Sequence, residues 1–189
     1  MAVKEIILKI KDNDGIEFTT EGRLFSRGST TLIQYEETEL SGLEGCTTSL
    51  TITPGRIRMK RGGGSASGGT EMVFEKGRRV RGLYATPLGN IDMEIVTDDI
   101  SGSLPLMGQP GKILIDYSIS LKGLFDGRKK LEIQILDKGS LADYTAEEIA
   151  APETEGSFSL EKMLKELSRF AADGGFRQDG QPDVFPKVQ

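Results

Sequence analysis

From residue 3 to about residue 138, apolar and polar positions alternate with period two, and Gly, Asp, Asn and Pro interrupt the alternation. Ile6, Leu8 and Ile10 alternate with Ile7, Lys9 and Lys11, and Asp12-Asn13-Asp14-Gly15 then supplies a turn. Ile33 and Tyr35 oppose Gln34 and Glu36, and Cys46, Thr48, Leu50 and Ile52 oppose the threonines and serine between them. Pro54-Gly55 turns the chain back into a segment where Ile57 and Met59 face one way and Arg56, Arg58 and Lys60 the other. Similar runs follow at residues 72–75, 80–86, 91–96, 112–122 and 131–135. Alternation of this kind, rich in β-branched residues, is the mark of strands buried on one face.

The pattern predicts about eight to ten strands, with no helix among them, joined mostly by turns too short for a parallel crossover. Residues 62–69, rich in Gly and Ser, are expected to form a loop, and residues 102–111 a second, longer one. Strands that each carry one apolar face bury those faces together, and closing the sheet on itself removes its exposed edges. The expected fold is therefore all-β, a closed antiparallel meander barrel over residues 1–138.

Beyond it the pattern changes. Residues 141–156 are acidic and contain Pro152, which reads as a linker. Ser159 is an N-cap candidate, and Leu160, Met163, Leu164, Leu167, Phe170 and Ala171 follow at helical spacing until Gly174-Gly175. An amphipathic helix over about residues 159–173 is expected within a tail spanning residues 139–189, with an irregular end.

Composition narrows the chemistry. The chain has 189 residues and a net charge of -5, which argues against nucleic acid as the main partner. It has no histidine, which removes the usual general base, His-dependent triads and His-containing zinc sites. Cys46 is the only cysteine, so an intramolecular disulfide and a Cys-based metal site are both excluded. No apolar run reaches the roughly 20 residues of a membrane helix, and the first residues carry too many charges for a signal peptide. The expectation is a cytoplasmic protein with no cofactor, no metal and no catalytic residues.

Several stretches taken in order carry a family resemblance: Tyr35-Glu36-Glu37-Thr38; residues 42–52, which include Leu43, Cys46 and Ile52; and residues 72–77. Tyr84-Ala85-Thr86-Pro87-Leu88-Gly89 and Asp116-Tyr117-Ser118-Ile119 complete the set. Over roughly residues 3–138 the chain resembles the YwiB-like domain family, a domain of unknown function. The resemblance implies a lipocalin-like (calycin-like) β-barrel and carries over no activity, cofactor or site residue. The Gly/Ser segment and the tail look like additions to the family's usual domain.

Four features are candidates for function. Tyr35, Thr48, Met59, Met72, Phe74, Met93, Ile95 and Tyr117 fall in the inward set, where they either line a cavity for a small apolar molecule or fill a small barrel. Arg56, Arg58, Lys60 and Arg61, with Arg78, Arg79 and Arg81, form either a basic patch or a solvated face paired with Glu71 and Glu75. Glu36, Glu37, Glu39 and Glu44 gather near one loop without the spacing of a carboxylate site, so surface solvation is expected. The helix face of Leu160, Met163, Leu164, Leu167 and Phe170 would dock on the barrel or on a second copy. Two readings follow: a non-catalytic barrel that binds a small apolar ligand, or an interaction module, monomeric or homodimeric, with a filled barrel.

Overall fold

A computed structural model describes residues 2–139, apart from residues 42, 44, 64, 65, 87 and 106–109. It contains ten strands: β1 (Ala2–Asp12), β2 (Glu17–Arg27), β3 (Thr30–Glu36), β4 (Cys46–Thr53), β5 (Arg56–Gly63), β6 (Ala66–Glu75), β7 (Arg79–Thr86), β8 (Gly89–Ser103), β9 (Gly111–Leu121) and β10 (Phe125–Asp137). A single 3-10 turn, Glu39–Ser41, lies between β3 and β4. The expected tail helix, with Leu160, Met163, Leu164, Leu167 and Phe170, lies outside the described residues.

All ten strands form one antiparallel sheet in the order β6-β5-β4-β3-β2-β1-β10-β9-β8-β7. Every neighbour in that order is adjacent in sequence except β1 and β10, which pair from Ile6↔Asp137 to Asp12↔Leu131. The meander thus wraps around until β6 and β7 meet. Among the described residues no strand ladder joins those two, so the barrel is nearly closed rather than closed. At the seam the Ala85 amide donates to Thr70 Oγ1 at 3.0 Å, a side chain standing in for a ladder partner.

Up-and-down connectivity sorts the turns by end. The hairpins β1–β2, β3–β4, β5–β6, β7–β8 and β9–β10 share one end, and the remaining connections lie at the other. The Pro54-Gly55 hairpin at the second end holds Thr53 opposite Arg56, with Gly55 at φ 76°, a conformation that favours glycine.

Residues 62–69 do not form the expected loop. Strand β5 runs on to Gly63 and β6 starts at Ala66, with Gly63 opposite Ala66 and a register shift between Arg61 and Gly63. Glycine lowers strand propensity but does not forbid pairing once the neighbouring strands are aligned.

Inside the barrel the alternating set packs into a single core. Ile6, Leu8, Ile33, Leu50, Phe74 and Ile135 are fully buried, and burial of each such side chain contributes about 1.5–3 kcal/mol. Phe74 and Tyr117 meet edge-on, with ring centroids 4.9 Å apart.

Candidate functional site: a polar cavity at the five-hairpin end

Three charged residues lie in register with the apolar inward positions. Asp12 continues Ile6, Leu8 and Ile10 on β1; Arg61 continues Ile57 and Met59 on β5; Lys129 precedes Leu131 and Ile133 on β10. Period two therefore turns all three toward the interior, near the ends of their strands that carry the five hairpins. Tyr84, near the end of β7, is buried at the same end.

Together with Met59, Met72, Tyr117 and Ile119 these residues line a cavity of about 50 Å³. One water needs at least about 10–15 Å³, so the space takes a few waters or a molecule of similar size. An apolar cavity of about 150 Å³ is what benzene occupies, and this one is far smaller.

Each cation is braced from behind. Arg61 Nε lies 3.5 Å from Glu37 Oε1, and Thr48 Oγ1 donates to that same oxygen at 2.6 Å. Glu37 is buried, and among the described residues its Oε2 accepts no hydrogen bond. Lys129 Nζ forms an ion pair with Asp14 and lies 5.1 Å from the centre of the Phe125 ring. Asp12 Oδ1 accepts from the amides of Asp14 and Ile16, each at 2.9 Å, which ties the β1–β2 turn together.

Desolvation sets the titration behaviour. Burial raises the Asp12 carboxyl above its ordinary value, against the opposing pull of the Ile16 amide, Lys129, Arg61 and the Gly15 amide. Burial pushes the Tyr35 phenol far up, and the nearby Glu37 adds to that. The Cys46 thiol is also raised, chiefly by burial, and its Sγ donates to the Gly63 carbonyl at 3.3 Å. A buried thiol held in its neutral form is a small packing group rather than a nucleophile.

Of the eight interior residues singled out from sequence, Tyr35, Thr48, Met59, Met72, Phe74, Met93 and Ile95 are buried, and Tyr117 is half-buried. They lie within or against the continuous core, and Met59, Met72 and Tyr117 also reach the cavity.

The basic patch needs correction. Arg56, Arg58 and Lys60 lie on the outer wall, but Arg61 points inward because it sits two residues beyond Met59. The outer three are paired: Arg56 with Glu75 at 3.2 Å, Arg58 with Glu71 at 2.6 Å, and Lys60 with Glu71 at 3.4 Å. Arg79 and Arg81 share Glu94. The acidic group divides in the same way. Glu36 and Glu39 are exposed, whereas Glu37 is enclosed, where surface solvation was expected. Glu44 lies outside the described residues.

Asp12, Lys129 and Tyr84 are site residues that sequence reasoning missed, and it placed Arg61 on the outer face. For the three charged residues the signal was a charge in the inward register.

Among the described residues no group of His, Cys, Asp and Glu could hold a metal ion, and no helix is long and apolar enough to cross a membrane.

Residues 1–133 match the family described as a domain of unknown function, DUF1934. The chain belongs to that family. The crystal structure of the ywiB protein from Bacillus subtilis is similar to this DUF1934 chain, with 21% identity and a TM-score of 0.56. That match covers 71% of this chain and 92% of the other, and at such identity it speaks for the fold alone. No curated protein matches the chain. The DUF1934 match takes in Asp12, Glu37, Arg61, Tyr84 and Lys129, so the whole cavity lies within the family domain.

Proposed function

We propose that this is a non-catalytic binding module that holds a small polar molecule in the cavity at the five-hairpin end. The observation that carries this reading is the pair of inward cations, Arg61 and Lys129, beside a cavity of about 50 Å³ at the end of the hydrophobic core. Cations turned into a barrel have a desolvation cost that a purely structural core avoids by using apolar residues. Such residues fit a site that orients a ligand with a few polar groups against apolar walls.

The same observation shifts the choice of ligand. A barrel of the calycin type, as the family resemblance implies, would take an apolar molecule, whereas the described cavity at this end is small and lined in part by charged residues. A compact polar molecule fits the space and the lining. The single buried thiol accords with a reducing compartment, and we place the protein in the cytoplasm on that ground.

A second reading, an interaction module with a filled barrel, draws on the continuous hydrophobic cluster. Ligand-observed NMR with a set of compact polar molecules and a set of fatty acids separates the two. Binding of compact polar molecules, unchanged on recovery and lost in Met72→Trp, is expected. Binding of fatty acids alone, or of nothing, would overturn the proposal, and the second outcome would leave the interaction module.

A further inference from the structure

The chemical class of the ligand follows from how the charges are layered, an argument that rests on the binding reading above. Donors stand at the cavity wall and their counter-carboxylates stand behind them. Arg61 and Lys129, both turned inward, line the space. Glu37 and Asp14, which pair with those two cations in turn, do not.

Asp12 is the single carboxylate among the lining residues. One of its oxygens is already occupied by two backbone amides, and burial favours its neutral acid. A cationic guest would therefore meet the buried Lys129 ammonium and the half-buried Arg61 guanidinium against one carboxylate with an oxygen already engaged. An anionic guest would meet two charge-assisted donors against that single carboxylate.

The rest of the lining sets the remainder of the molecule. Met59, Met72, Ile119 and Leu131 offer thioether and aliphatic surface. A guest that is oxyanion throughout would leave these four without a partner, and one that is apolar throughout would make no use of the two cations. Room for a few waters limits the guest to a few non-hydrogen atoms.

We propose that the cavity takes a short-chain carboxylate of the size of acetate, its carboxylate on Arg61 and Lys129 and its alkyl end against Met59, Met72, Ile119 and Leu131. No bond is made or broken.

Isothermal titration calorimetry of the full chain with sodium acetate, sodium phosphate and methylammonium chloride, in a carboxylate-free buffer, tests this. Saturable binding of acetate to one site is expected. It should weaken by about tenfold or more in Lys129→Met, the usual effect of losing a charged hydrogen bond. It should vanish in Met72→Trp, which fills the space without touching a charge. Circular dichroism checks that both variants are folded.

Phosphate binding without acetate binding would overturn the carboxylate assignment while leaving the cavity as a binding site. Methylammonium binding without acetate would overturn the polarity argued here and leave the same site standing. If none of the three binds and no compact molecule is found by NMR, this inference and the binding reading both fall.

Discussion

Arg61 and Glu37 form an ion pair at 3.5 Å within the five-hairpin end of the barrel, the guanidinium side chain 17% exposed and the carboxylate side chain 1% exposed. The pair links β5 to the segment after β3, and Thr48 on β4 donates to the same carboxylate oxygen. Removing one member leaves a buried charge uncompensated, whereas replacing both with apolar groups removes two desolvation costs together. Arg61→Ala is expected to destabilise the fold by about 3 kcal/mol in urea unfolding, and Arg61→Met with Glu37→Leu to recover most of that loss.

The seam between β6 and β7 gives a second expectation. Ala85 N and Thr70 Oγ1 are both buried, so Thr70→Val leaves an amide without its acceptor. A loss of about 1–3 kcal/mol is expected, with faster hydrogen exchange at the Ala85 amide. Thr70→Ser keeps the hydroxyl and should restore the slow exchange.

Close packing at Gly22 gives a third. A Cβ there would lie 2.7 Å from the Gln34 carbonyl oxygen and 3.1 Å from Leu8 Cδ1, and the carbonyl cannot move without disturbing the β2–β3 ladder. Gly22→Ala should lower stability by about 1–3 kcal/mol, as overpacking does elsewhere. Gly62→Ala, where a Cβ meets nothing within 4 Å, should change it by no more than about 0.5 kcal/mol. Thermal unfolding of the two variants side by side measures the contrast.

Asp12 makes stability depend on pH. Its carboxyl titrates near 3.8 in the unfolded chain and higher in the folded one. Between those two values the folded state holds more protons, so stability falls as pH rises through that window and stays lower above it. Asp12→Asn keeps an oxygen that can accept from the Asp14 and Ile16 amides. It should therefore melt above the native protein at pH 7, with the difference vanishing toward about pH 3.

Period two alone placed Ile6, Leu50, Met59 and Ile135 on the inner face, since a half-buried strand writes its orientation into every second residue. Local composition misleads where it competes with that period. Charge groups Arg61 with Arg56, Arg58 and Lys60, whereas the alternation through Ile57 and Met59 points it inward. Asn13, Asp14 and Gly15 mark Asp12 as a turn former, and it both caps the turn and faces the cavity. Glycine disfavours strands locally in the Gly/Ser run, and pairing with β5 outweighs that preference. Which cation meets which carboxylate was not legible. That depends on which strands become neighbours around the barrel, and no local pattern encodes it.

The most direct test of the small polar site is methyl NMR on protein labelled at the methionine ε-methyl groups, titrated with sodium acetate. Met59 and Met72 line the cavity, whereas Met93 packs elsewhere in the core, where its Cε lies 3.4 Å from the position of a Cβ on Gly82. Saturable shifts of the Met59 and Met72 methyls, with Met93 unmoved and the response lost in Lys129→Met, are the expected result. Methyl signals that stay fixed up to saturating acetate, or that move equally in Lys129→Met, would contradict the account.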